Sequence, residues 1–354
     1  MTLLRIHLLL SGLFLVCSFA PLAMADDQAA SQRWDRSSAM AAAESVNIGL
    51  AVYELGDISS LADGKATVSK LRDLEARSDW PLPAREAAIY QFTRSLADLS
   101  RDAVAAEVMQ HLQSYQAKTL VPHEEHHDSY IPLFNIRGAA AGVENGWQRT
   151  EFAGEAAALI EVEPAALVSA FARSTNHNQQ SGYLDALRYA DMADVIAVQD
   201  AALQSLEETP GLTGMVALTA EITSDTYAIQ QLLINGRGAG LSAALTQLDK
   251  QLQATETAEL LVFAIQQAPS SNAALAIAAW WPPLKHNAAT RDLLIDALAD
   301  PELGASAALA LAQEPDIQTI RDLQNIALGD SATARRAQIA LDINRARLIG
   351  GGQP

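Results

Sequence analysis

The sequence predicts an all-α protein: an α-solenoid of stacked antiparallel helix pairs, with an irregular N-terminal cap and one long inserted loop. Three observations carry this. Ala/Leu-rich stretches of helical length recur along the chain, separated by Pro, Gly or Ser/Asp/Thr breaks. Strand signals are weak, since aromatic residues make up only 5% of the chain and no Asn-Gly or Asp-Gly sits between alternating runs. The helical stretches also repeat, at a period of about 30 residues in the C-terminal part.

Residues 1–25 read as a secretory signal. Arg5 and His7 form a short polar start, an apolar run follows from Leu8 to Ala20, and Ala23-Met24-Ala25 places small residues where a signal peptidase cuts. The run is shorter than the roughly 20 apolar residues that span a bilayer, so stable membrane insertion is not expected once the signal is removed. Val16 before Cys17 argues against a lipoprotein signal. Cys17 is the only cysteine and would leave with the signal, so the mature chain would have neither disulfide nor thiolate. The expected location is the periplasm or the cell exterior. The formal net charge of −18, with only Lys65, Lys70, Lys118, Lys250 and Lys285 as lysines, disfavours nucleic acid and anionic lipid as partners. It suits a cationic partner, or serves solubility alone.

Residues 26–83 are broken by Gly49, Gly56, Gly64 and Trp80-Pro81-Leu82-Pro83. They read as cap helices, which a solenoid needs to cover its open apolar end. Residues 84–349 carry the repeats. Helices are expected over Ala84–Leu99, Asp102–Ala117, Thr150–Ile160, Pro164–Arg173, Met192–Leu206, Asp225–Ile234, Leu241–Leu252, Thr257–Gln267, Thr290–Ala299 and Leu303–Gln313, with a loop from Lys118 to Trp147. Residues 350–354, Gly-Gly-Gly-Gln-Pro, should form a disordered tail.

Two helix types alternate. In Thr290–Ala299, Leu293, Leu294, Ala297 and Leu298 form one stripe among Arg291, Asp292 and Asp296, so the other face meets water. In Ala305–Ala312 nearly every residue is apolar and small, as suits a helix buried on most sides. The run from Asp300 to Leu311 aligns with that from Asp330 to Leu341. A Leu-x-x-Ala-Leu-x-Asp-Pro string runs from Leu294 to Pro301, followed by Ala307-Ala308-Leu309-Ala310-Leu311 and, in the second copy, Ala340-Leu341. On these residues the segment Leu293–Leu341 resembles HEAT repeats of the short bacterial kind related to the phycobilisome-lyase type. It departs from that pattern where Gly304-Ala305 replaces the usual Val-Arg, whereas the second copy keeps Arg335-Arg336. The resemblance implies a scaffold that binds peptides or proteins on a curved surface, and names no ligand.

One stretch stands apart. His123, His126 and His127 fall within five residues beside Glu124, Glu125 and Asp128. His123-Glu124-x-x-His127 matches the zinc-hydrolase string, in which two histidines share a helix face and the glutamate is the base. The charged neighbours and the flanking Pro122 and Pro132 speak against such a helix. A loop site for zinc or copper built from His123, His126, His127 and Asp128 is the alternative use. A docked structural loop and a partner-binding loop are the other readings, with Tyr130 and Phe134 as contacts. Trp280-Trp281-Pro282-Pro283 closes a helix and reads either as core or as a hydrophobic spot on the solenoid rim.

The function expected from these residues is a non-catalytic, exported scaffold for a protein or peptide partner, with no obligatory cofactor. A metal-binding protein is the alternative and a zinc hydrolase a remote third. Exported protein should begin at Asp26; an intact mass that still includes Cys17 would overturn the signal assignment.

Overall fold

A computed structural model describes residues 31–56, 61–126, 128–313 and 315–350. The expected signal and the last four residues of the tail therefore lie outside the described residues, as does His127. The described chain is all-α apart from three short strands, and its helices pack in neighbouring pairs. It divides into two compact units. One contains the residues up to Leu96 together with Ala103–Ala140. The other contains Ala97–Asp102 and the residues from Ala141 onward.

The first unit gathers around α4 (Leu82–Ser95). Pro81 and Pro83 suit its start, because a proline in the first turn forfeits only an N–H that has no intrahelical partner. Its buried face carries Ala84, Ala88, Ile89 and Phe92. Against it pack α1 (Arg36–Glu44), α2 (Gly49–Leu55) and α3 (Gly64–Ala76), and α5 (Ala106–Gln113) packs on α3. Asp35 and Asp63 cap α1 and α3 by accepting N–H bonds from Ser38 and Ala66.

The expected loop from Lys118 to Trp147 is shorter and more ordered than the sequence suggested. β2 (Thr119–Pro122) and β3 (Tyr130–Pro132) form an antiparallel hairpin, and β1 (Gln32–Arg33) adds in parallel to β2. Thr119 and Val121 point inward and Leu120 and Pro122 outward. From Ile136 the chain is helical: α6 runs from Ile136 to Val162, so Trp147 lies on a helix.

The second unit is a two-row stack. It takes in most of α6, then α7 (Pro164–Arg173), α8 (His177–Tyr189) and α9 (Met192–Ser205). In the inner row α10 (Thr213–Thr223), α12 (Gly238–Leu248), α14 (Ser270–Leu284), α16 (Gly304–Leu311) and α18 (Ala332–Gly350) each pack on the next. In the outer row α11 (Thr226–Asn235), α13 (Ala254–Gln267), α15 (Ala288–Ala297) and α17 (Ile317–Ala327) do the same. The pairs α13–α14, α15–α16 and α17–α18 join the rows.

The two helix types are those expected. On α16, Gly304, Ala307, Ala308, Ala310 and Leu311 are all buried, whereas α17 buries only Thr319 and Leu323. The turn entering α12 needs Gly238, whose φ of 72° a side chain would resist.

The departure at Gly304 has a physical reason. The Arg336 guanidinium lies where a Cβ on residue 304 would stand. From there its Nη1 donates to the carbonyls of Leu298 and Asp300 (both 2.8 Å) and its Nη2 to that of Pro301 (3.1 Å). These carbonyls follow the end of α15, and that of Asp300 also accepts the Gly304 N–H at 2.9 Å. Asn272 of α14 does the same for α11, donating to the carbonyls of Leu233 (2.9 Å) and Gly236 (3.0 Å).

Ala308 is 2% exposed. Ala308→Asp should cost about 3 kcal/mol or more, because it buries a carboxylate with no partner. A melting curve identical to that of the wild type would show that the inner row is not packed as described.

Candidate functional site

His123–His126 and Asp128 lie in the turn of the hairpin and not on a helix. The turn is closed by His123 N–H on the Ser129 carbonyl (3.0 Å) and Ser129 N–H on the His126 carbonyl (2.9 Å). The His123 ring Nδ1 accepts the backbone N–H groups of Glu125 (3.1 Å) and His126 (3.3 Å). Without a helix the spacing of the zinc-hydrolase string places nothing on a common face, so that reading is corrected. Glu124, its would-be base, pairs with Arg36 at 3.5 Å on the surface. The His123 and His126 rings lie 5.0 Å apart and Asp128 is exposed. Among the described residues no group of three or more His, Cys, Asp or Glu is placed to hold a metal.

The proposed aromatic contacts are also redistributed. Tyr130 is exposed but has the Arg33 guanidinium 4.5 Å above its ring. Phe134 is half-buried and packs on Tyr90, with ring centroids 5.8 Å apart. Trp280 and Trp281 are 0% and 1% exposed, so the core reading holds and the alternative of a partner contact on the rim is corrected. Trp280 Nε1 donates to the Leu245 carbonyl at 3.0 Å, tying α14 to α12. The helix holds Pro282 and Pro283 in its final turn, so both indoles stay on a packed helical face.

A groove in the second unit offers a site that the sequence did not suggest. It is a cavity of ≈ 680 Å³ between α6, α8 and the start of α9. Its apolar lining is Ala153, Ala157, Ile160 and Ala186. Its edge carries Glu161, Asp191 and Asp194, none of which forms an ion pair among the described residues. Tyr189, 90% exposed, also lines it, and Val162 (82%) and Met192 (51%) are exposed on the adjoining helix ends. Large apolar side chains left in water beside a concave surface are a feature of binding sites.

The walls are held by one glycine and one carboxylate. A Cβ on Gly182 would lie 2.5 Å from the Arg149 carbonyl oxygen and 2.8 Å from the Phe152 Cβ, so α8 reaches α6 this closely only with glycine there. Asp185 of α8 binds Arg149 of α6 through both oxygens, by Nη2–Oδ1 at 2.6 Å and by the Arg149 Nε contact, and also accepts Arg188 at 2.8 Å. The Arg149 bonds hold the Asp185 carboxyl below the ordinary aspartate range. The sequence marks these positions only faintly, at two helix breaks, Val162-Glu163-Pro164 and Tyr189-Ala190-Asp191-Met192.

No helix among the described residues is long and apolar enough to cross a membrane. No family model, curated protein or solved structure matches the chain.

Because the folded Asp185 carboxyl titrates lower than its unfolded value of about 3.9, its stabilisation is present above that value. It is lost as pH falls through the folded one. Wild-type protein should therefore lose more stability than Asp185→Asn between about pH 6 and pH 2, read as urea midpoints. Parallel losses in the two proteins would mean that the Arg149–Asp185 pair does not hold the groove.

Proposed function

We propose that this protein is an exported, non-catalytic helical scaffold that binds a protein or peptide partner in the groove between α6, α8 and α9. The observation carrying this reading is the pairing of an apolar lining with three unpaired carboxylates and an exposed tyrosine. The partner chemistry that fits is a basic segment with an apolar anchor. Its cations would meet Glu161, Asp191 and Asp194, and its anchor would lie on Ala153, Ala157 and Ile160. The N-terminal signal-like residues support export, and the repeat resemblance and two-row stack support a scaffold role. HEAT-like ancestry is part of the same proposal.

A displayed peptide library panned against the wild type should enrich basic peptides with an apolar residue. The same peptides should lose binding by about ten-fold or more to Asp191→Lys/Asp194→Lys, since each 1.4 kcal/mol is ten-fold in affinity. Asp191 is the N-cap of α9 and Asp194 lies in its first turn, so the variant should also melt somewhat lower, and binding is compared well below its melting midpoint. Enrichment of acidic peptides, or equal binding to the variant, would overturn the assignment of the groove.

A further inference from the structure

The first unit contains a second cavity, of ≈ 370 Å³, with the opposite charge. Its lining includes Arg72 and Glu75 from α3, Leu82 and Arg85 from α4, and Tyr115 and Lys118 before β2. Three cations and one carboxylate are an unusual set in a chain of formal net charge −18.

The acids nearby are already engaged. Glu75 Oε1 lies 2.8 Å from His111 Nε2. Glu86, fully buried, accepts the N–H groups of Lys118 (2.6 Å) and Thr119 (3.0 Å) and the Tyr115 hydroxyl (3.3 Å). Burial, and then the Glu86 charge, push the Tyr115 hydroxyl above the ordinary phenol range, so it stays a donor.

The cations, in contrast, have capacity to spare. The side chains of Arg72 and Lys118 form no ion pair among the described residues. Arg85 donates through Nη1 to the Glu75 carbonyl at 2.5 Å, but its Nε–H is buried with no acceptor. The positive end of α4 adds to the field: it starts at Leu82 with no side-chain cap and no acid in its first turn.

We propose that this cleft binds a small organic anion, a carboxylate or phosphate group on an apolar body. The anionic group meets the charges of Arg72, Arg85 and Lys118. The body lies on Leu82 and the Tyr115 ring. The volume is within the range of small-molecule sites, and the apolar wall separates such a ligand from a bare inorganic ion.

The full chain would be titrated with phenyl phosphate, benzoate and inorganic phosphate at fixed ionic strength, by calorimetry and by NMR of the arginine Nε–H resonances. Expected are saturable binding of phenyl phosphate or benzoate, weaker binding of inorganic phosphate, and a shift of one arginine Nε–H that is absent in Arg85→Lys. Which organic probe binds better tells a phosphate ligand from a carboxylate. Arg72→Gln and Lys118→Gln should each weaken binding by about ten-fold. They remove no ion pair of the fold, so they decide the matter even if Arg85→Lys fails to fold. No saturable binding of either organic probe, or binding that both glutamine variants leave unchanged, would overturn the proposal. So would inorganic phosphate binding as tightly as phenyl phosphate.

Discussion

Burying a helix on several sides brings its neighbours' terminal carbonyls against the fold, where donors must come from other helices, and the second unit meets that demand across repeats. The inner row solves the first half by composition. Alanine and glycine on α16 and α18 let backbones approach closely, with Ala307, Ala308, Ala334, Ala337 and Ala340 all buried. The second half needs donors delivered across a repeat. Arg336 of α18 and Asn272 of α14 bring N–H groups to carbonyls at the ends of α15 and α11, the outer helices one repeat back. Apolar packing alone would hold the rows together without fixing their register, whereas these bonds are directional.

The first unit meets a similar demand with a carboxylate. A central helix that buries Glu86 can hold the entry to β2 because both Glu86 oxygens are engaged by backbone N–H groups. That places Lys118 and Tyr115 beside Arg85. A device that secures a strand thereby assembles the basic cleft. The acidic groove of the other unit arises in the same way, as a by-product of the Arg149–Asp185 tie and the close approach at Gly182.

Much of the architecture is legible in the sequence because helical periodicity is a local property. The breaks around Pro164–Arg173 mark both of its ends, and those around Met192–Leu206 do so to within a residue. The small-residue inner helices and the striped outer ones are as the apolar spacing requires. The hairpin is not legible: its strands are four and three residues long, each contains proline, and its turn is filled by histidines and acids rather than glycine. Neither cleft is visible either, since each joins residues from separate helices whose meeting depends on tertiary contacts. The tryptophan pair shows the opposite error. A Trp-Trp-Pro-Pro string looks exceptional on paper, yet its indoles fill ordinary core. His123, His126 and Asp128 look like ligands in sequence, but the hairpin turn spends one ring nitrogen of His123 on its own backbone.

The contact between Gly304 and Arg336 has a consequence for how this chain can vary. A side chain at 304 would displace the guanidinium and leave the carbonyls of Leu298 and Pro301 without this donor. Shortening Arg336 would open a gap beside a glycine that had lost its purpose. The backbone at 304 is not what forbids a side chain; the guanidinium is, and it could swing away only by giving up its bonds to the carbonyls. A missing side chain in one helix is thus the room in which a long one from the next helix of the row works, so the size of residue 304 is set from outside its own repeat.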